Sequence, residues 1–97
     1  MLSAIKVEGD SMSPTLCNGD YIVIIKPRSI RAGLIFVINH PRLGCIVKRL
    51  ETIGESELWF KGDNPISTSS LKIGPVQQEM LRGRAILAIT PKGIKRL

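Results

Sequence analysis

The sequence predicts a mainly β fold, either a small folded sheet or a partly open β-barrel, with little helix. Apolar and β-branched residues come in short runs, at residues 21–25, 34–38 and 86–89. Glycine, proline and other turn residues separate these runs at short intervals, as in all-β domains. The 43% hydrophobic content indicates a globular chain, and none of the runs reaches the roughly 18 residues that span a bilayer.

The first three predicted strands are each bounded by turn residues. Residues 3–7 lead into a turn at Gly9. Residues 20–26 end at Pro27, which has no backbone N–H to donate to a sheet. Residues 34–39 form the third strand, and their nearly continuous apolar character indicates burial.

The second half of the chain is also predicted to consist mainly of strands. Residues 45–52 form a strand, and a hairpin containing Gly54 connects it to a strand at residues 57–61. A short helix is expected over residues 76–80, and residues 84–90 form the last strand. Ninety-seven residues suffice for one hydrophobic core but not for two, so we expect a single domain over residues 1–97.

Side-chain alternation along the 45–52 strand bears on Lys48. Ile46 and Leu50 share the face of Lys48, whereas Arg49 and Glu51 lie on the other, wetter face. Lys48 is therefore expected to point toward the core. Two alternatives stay open from periodicity alone, namely that the strand is amphipathic the other way round or that Lys48 extends its amine to water.

Ser11 and Lys48 together predict a serine hydrolase that works without histidine. Ser11 follows the Gly9 turn. An ordinary lysine has a pKa near 10.4, so only about one molecule in 2,500 is neutral at pH 7. Burial disfavours the charged form and lowers that pKa, and the neutral amine can then accept the serine proton. The single histidine, His40, precedes Pro41 in a loop-like stretch where we expect it to be exposed and inert. A Ser-His-Asp triad around it is the alternative.

Charge and cysteine usage exclude several function classes. The net charge is +6, but the basic residues are scattered and only four residues are aromatic, so we expect no specific nucleic-acid binding. The basic surface would attract an acidic membrane only weakly. Cys17 and Cys45 form no metal or redox motif and are expected to be buried free thiols. No phosphate-binding motif occurs, and we expect no cofactor and no metal.

Four stretches in order resemble the conserved regions of one protein superfamily. Residues 9–16, GDSMSPTL, resemble the nucleophile box of the signal peptidases and of the LexA-like self-cleaving repressors. Residues 47–50, VKRL, resemble the box that carries their general-base lysine. Residues 62–67, GDNPIS, and 81–85, LRGRA, resemble the third conserved region and the closing strand of the signal peptidase branch. In pattern the chain is most similar to short, anchorless signal peptidase relatives such as the maturation proteases of nickel-type superoxide dismutases.

The resemblance implies a fold of the signal peptidase/LexA catalytic type and a single serine peptidase-like catalytic domain. It implies that Ser11 attacks the scissile carbonyl and that Lys48 accepts its proton. The amide of Ser11 would donate to the oxyanion, with a backbone amide near Gly9 and Asp10 as the second donor. Ser67 falls where the family has a serine that orients the lysine.

The resemblance also implies an endopeptidase that cleaves a protein precursor after small residues such as alanine. An extended peptide would add as a strand in a cleft between the segment leading to Ser11 and the strand leading to Lys48. Apolar residues would form its walls: Ile5, Val7, Met12, Ile46 and Val47. The alternative for these five is that they fill the core.

Partners and location follow as expectations. The partner is a protein or peptide substrate, and a homodimer stays open. The N-terminus lacks the charged-then-apolar pattern of a signal peptide, so the chain as given is expected to be cytoplasmic. Membrane association would require an anchor upstream of residue 1 or the basic surface. The alternative function is a LexA-like regulatory domain that cleaves itself or dimerises, separated from a DNA-binding domain.

Overall fold

The computed structural model describes residues 2–66 and 70–97, and these residues form the mainly β fold that the sequence predicts. Seven strands make one antiparallel sheet. The strands are β1 (Leu2–Lys6), β2 (Tyr21–Ile25), β3 (Ile35–His40), β4 (Gly44–Ile53), β5 (Leu58–Lys61), β6 (Leu81–Thr90) and β7 (Gly93–Arg96). Helical structure in the described residues is limited to α1 (Ser70–Ile73) and a 3₁₀ turn at Gln78–Met80.

The sheet is open, because its strand order is linear. The order is β1-β2-β6-β3-β4-β5, and β7 pairs with β6. β6 is ten residues long, so its first half pairs with β3 and its second half with β7, while β2 runs along its other edge. β1 and β5 stand at the two ends of the order. The structure thus has the mainly β, open antiparallel sheet that the sequence predicts.

β3 lies at the centre of the fold and is buried on both faces, so the buried apolar residues form two clusters where the sequence predicts a single core. Ile35 and Val37 pack into one cluster with residues of β2 and β6. Phe36 and Ile38 point the opposite way into a second cluster with residues of β4 and β5. In that second cluster the ring of Phe36 meets the ring of Phe60 edge to face, with centroids 6.0 Å apart. The continuous apolar run in the sequence reflects this two-sided burial.

The C-terminal part differs from the sequence-based prediction. The strand predicted at residues 84–90 begins at Leu81, and it is not the last strand, because β7 follows it. Thr90 Oγ1 donates to the carbonyl of Gly93 at 3.0 Å and closes the hairpin between β6 and β7. All four residues of β7 are exposed, so the strand has no alternating apolar pattern from which to predict it.

Two helical segments also differ from the prediction. The helix expected over residues 76–80 is only the 3₁₀ turn Gln78–Met80. No sequence-based prediction includes α1, whose buried side chain Ile73 packs in the second cluster. Four residues give too short a pattern to reveal a helix by periodicity.

Candidate active site

Two strand edges border a cleft of about 280 Å³. β1 pairs only with β2, so its other edge is free among the described strands. β4 pairs with β3 through residues 44–49, but with β5 only from Arg49 onward. The edge of residues 44–48 opposite β3 is therefore also free in the part of the chain that the structure describes. The cleft is lined by Ile5, Lys6, Glu8, Ser11, Cys45, Ile46, Val47 and Lys48.

The strand-face prediction for Lys48 is confirmed. Its side chain is only 5% exposed and Leu50 is 1% exposed, whereas Glu51 on the other face is exposed. This burial contradicts both alternatives. The strand is not amphipathic the other way round, and Lys48 does not extend into water on the exposed face of the strand. Desolvation by burial lowers the pKa of Lys48 from its ordinary value.

The Lys48 amine opens into the cleft. Within the described residues it forms no hydrogen bond and no ion pair. Every fully buried side-chain nitrogen or oxygen described in the structure has a hydrogen-bond partner, so an amine without a partner must keep some solvent contact. The cleft that Lys48 lines provides that contact. Glu8 also lines the cleft, but it forms no ion pair with Lys48 among the described contacts, so burial governs the pKa of Lys48 and shifts the amine toward its neutral form.

Ser11 lies at the same cleft, on a turn that Asn64 holds in place. The backbone N–H of Asn64 donates to the carbonyl of Ser11 at 2.9 Å. The side-chain Nδ2 of Asn64 donates to the carbonyl of Asp10, also at 2.9 Å. No direct hydrogen bond between the Ser11 hydroxyl and the Lys48 amine occurs among the described contacts. The structure thus brings the two predicted residues to one cleft without joining them.

Asp63 connects the turn of Ser11 to the strand of Lys48. It accepts two hydrogen bonds from Arg49 and one from Thr15 Oγ1 at 2.6 Å. The bonds from Arg49 hold the pKa of the Asp63 carboxyl below its ordinary value, with a further contribution from Thr15, against the opposing effect of burial. The same bonds raise the pKa of Arg49. Sequence reasoning missed Arg49 as a partner, because only the fold brings it to Asp63.

The backbone donors near Ser11 are not equivalent. Gly9 has a φ of +86°, which favours glycine, and its N–H donates to Asn18 Oδ1 at 2.8 Å. The amides of Asp10 and Ser11 donate to no acceptor among the described hydrogen bonds. Of the two amides expected to supply the second oxyanion donor, only that of Asp10 is therefore unoccupied.

The predicted wall residues divide into two groups. Ile5, Ile46 and Val47 line the cleft. Val7 and Met12 are 3% and 1% exposed and pack in the first core cluster instead. For these two the core interpretation, not the wall interpretation, agrees with the structure.

Ser67, which the resemblance pairs with Lys48, lies outside the described residues.

His40 is not the exposed loop residue that the sequence suggests. It ends β3 and is buried. The backbone amides of Arg42 and Leu43 both donate to its Nδ1 at 3.1 Å, so Nε2 carries the proton and donates to the carbonyl of Ile73 at 2.7 Å. Both ring nitrogens are thus engaged in backbone contacts, and His40 is not among the residues that line the cleft.

Other expectations concern thiols, metals and membranes. Cys17 and Cys45 are free, but both are exposed rather than buried. The described residues contain no group of three or more histidine, cysteine or acidic side chains placed to hold a metal ion. Within the same residues, no helix has the length and apolar character needed to cross a bilayer.

Comparison with known proteins identifies the family. No curated protein matches the chain. A protein-family model described as Peptidase S24-like matches residues 1–86, a segment that includes the Ser11 turn, the Lys48 strand and the loop of Asp63 and Asn64. The chain belongs to the peptidase S24-like family.

Proposed function

We propose that this domain is a serine endopeptidase that cleaves another protein, with Ser11 as nucleophile and Lys48 as general base. The observation that carries the proposal is that both residues line one cleft, where the Lys48 side chain is buried and its amine has no ion-pair partner among the described residues. A lysine base has to be neutral, and burial shifts Lys48 in that direction. Membership of a peptidase family agrees with this role.

The chemical steps follow from these groups. The neutral Lys48 amine accepts the proton of Ser11 Oγ as the oxygen attacks the scissile carbonyl. The unoccupied amides of Ser11 and Asp10 donate to the oxyanion that develops. The Lys48 ammonium then gives its proton to the leaving amine, and the acyl group stays on Ser11. A water molecule, deprotonated by Lys48, hydrolyses that ester and regenerates the hydroxyl.

The free edges of β1 and β4 support binding of substrate as an added strand. Both edges offer unpaired backbone groups toward the cleft, and an extended peptide between them would pair with both. The side chains of Ile5, Ile46 and Val47 make the cleft partly apolar. Following the family resemblance, we propose that the residue before the cut is small.

A peptide library digested by the purified domain and analysed by mass spectrometry tests the proposal. We expect cleavage after small residues. Ser11→Ala should abolish it, and Lys48→Arg should reduce it about 100-fold or more, because arginine stays charged. Matched controls are Ser13→Ala on the same turn and Lys6→Arg at the same cleft, which should both keep activity. Retention of full activity in Lys48→Arg would overturn the assignment of the base.

The repressor-like alternative predicts a different kinetic order. A domain that cleaves its own chain does so at a first-order rate that does not change with protein concentration. An endopeptidase acting on another chain gains rate as enzyme is added. We favour the second because the loop of Asp63 and Asn64 resembles the signal peptidase branch, and concentration-independent self-cleavage without any cleaved library peptide would overturn it.

A further inference from the structure

The outward face of strands β1, β2, β6 and β7 carries a continuous row of side chains, and the β1 end of this row, at Lys6, also borders the cleft. Lys6 pairs with Tyr21, Tyr21 with Ile89, and Ile89 with Ile94. Directly paired residues in antiparallel strands project on the same side of a sheet. The neighbouring residue Ile22 is fully buried on the inner side, so the row faces outward. We call this surface the outer face.

The outer face is unusually apolar for a surface. Tyr21 is 48% exposed, Ile89 44% and Ile94 73%, and Leu2 on the same side of β1 is 66% exposed. Half of the eight large hydrophobic side chains that are exposed in the described residues therefore lie on this one surface. Contiguous apolar patches of this kind usually mark an interaction site.

The charge on these strands has a single sign. β1, β2, β6 and β7 contain no aspartate or glutamate, but they contain five lysines and arginines. On the outer face itself, Lys6 lies on the edge strand β1, and Arg96 lies on the edge strand β7, where it pairs with Leu87. The apolar centre is thus flanked by cations at both edges.

The distribution of charged and apolar side chains on the outer face favours a lipid surface over a protein as its partner. Two copies stacked through this face would bring like charges together, which is unfavourable. A protein interface normally forms about one hydrogen bond per 100–200 Å², yet the register leaves four polar side chains on this face, Lys6, Tyr21, Arg84 and Arg96, and three of them are cations that require anionic partners. A lipid surface needs no such bonds, since apolar side chains enter the headgroup region and basic residues meet anionic headgroups.

We propose that the outer face docks on the surface of an anionic lipid bilayer. Ile94, Ile89 and Tyr21 enter the interface, while Lys6 and Arg96 contact anionic headgroups. The proposal concerns binding and is independent of peptidase activity, so it can be tested on the Ser11→Ala variant as well as on the active protein.

Sedimentation with vesicles tests the proposal directly. We use phosphatidylcholine vesicles with about 30% phosphatidylserine, and pure phosphatidylcholine vesicles for comparison. We expect binding to the anionic vesicles that weakens as salt is added, and at least about tenfold less binding to the neutral ones. Arg96→Gln should weaken anionic binding about fivefold, which is the share of one basic residue.

Apolar substitutions separate the outer face from general charge attraction. Ile89→Thr with Ile94→Thr keeps β-branched side chains in both strands and should reduce anionic binding about tenfold or more. Ile53→Thr is the matched control, because Ile53 is 49% exposed on β4, and it should leave binding unchanged. Equal binding by the double variant, or no binding by the unmodified protein, would overturn the proposal. So would a dimer in sedimentation velocity that the double variant dissociates.

Discussion

Arg49 donates two hydrogen bonds to Asp63, from Nε to Oδ1 at 2.8 Å and from Nη2 to Oδ2 at 2.7 Å. Arg49 directly follows Lys48 along β4, and Asp63 directly precedes Asn64, which binds the turn of Ser11. The ion pair therefore links the strand of the proposed base to the turn of the proposed nucleophile. Both side chains are largely shielded from water, with side-chain exposures of 29% and 14%.

Asp63→Asn should destabilise the fold in a pH-dependent way. At pH 7 we expect a loss of about 1.5–3 kcal/mol, the range for a hydrogen bond to a charged group. Because the folded state lowers the pKa of Asp63, its contribution is present above the unfolded pKa of about 3.9 and is lost as the pH falls through the folded pKa. Urea unfolding from pH 7 into the acid range measures the difference.

The surface pair of Lys61 and Glu51 is the control for this measurement. Its atoms are 3.7 Å apart and both side chains are well exposed. Glu51→Gln should therefore change the free energy of unfolding by no more than about 0.5 kcal/mol. If Asp63→Asn had no larger effect than Glu51→Gln, the proposed link between strand and turn would be contradicted.

Asn64→Asp tests whether Asn64 positions the nucleophile. The substitution keeps an oxygen that accepts from the amide of Ile66, at 3.1 Å in the native chain, but it removes the donor to the carbonyl of Asp10. We expect kcat to fall about tenfold or more with KM little changed, since small displacements of a nucleophile slow the chemical step.

A purely structural role for Asn64 would give another pattern. Loss of folded protein would lower the measured kcat only in proportion to the active-site concentration, which titration with a covalent serine reagent determines. An unchanged kcat per titrated site would show that Asn64 does not position Ser11.

Peptidase activity should rise with pH through the pKa of Lys48. The base must be neutral, and burial lowers this pKa, so the rise comes at a lower pH than an ordinary lysine, near 10.4, would give. The pH dependence of kcat/KM measures the pKa in the free enzyme.

His40→Asn distinguishes this mechanism from a histidine base. The Asn oxygen can replace Nδ1 as acceptor for the Arg42 and Leu43 amides, but the bond to the Ile73 carbonyl is lost. We expect a loss of stability of about 1–2 kcal/mol and an unchanged pH profile. Activity that titrates near pH 6.5 and disappears in this variant would instead support a histidine mechanism.

Lys48→Met should stabilise the folded state at neutral pH while abolishing activity. Below the pKa that Lys48 has in the folded state, its amine is charged. Burial removes the hydration of that charge and so destabilises the folded state. Between the folded pKa and the unfolded value of about 10.4, that cost disappears as the pH rises. The stability advantage of Lys48→Met should therefore be largest below the folded pKa of Lys48 and should shrink as the pH rises toward the unfolded value of about 10.4.

The exposed Lys6 provides the comparison for that series. Lys6→Met removes a positive charge from a solvated side chain on β1, so the free energy of unfolding should change little at any pH. A Lys48→Met variant that is less stable than the unmodified protein at neutral pH would mean that the amine has a stabilising partner.

The sequence by itself determined the mainly β fold and the inward direction of Lys48. Both follow from local rules, because alternating side chains on the strand of Ile46, Lys48 and Leu50 report which face is buried. The Ser11 turn could also be predicted from the sequence. Gly9 indicates a backbone position with a positive φ, and the surrounding residues resemble those of a known superfamily.

The tertiary structure decided what depends on contacts distant in sequence. The side chains of Arg49 and Asp63 are 14 residues apart, and only the fold places the guanidinium on the carboxylate. Met12 could not be assigned to core or cleft until the sheet folded over it. The prediction that His40 is exposed was wrong because its hydrogen-bond partner, the carbonyl of Ile73, lies 33 residues away in the sequence. Strand alternation is a local property, whereas burial and partner choice are properties of the whole packed chain.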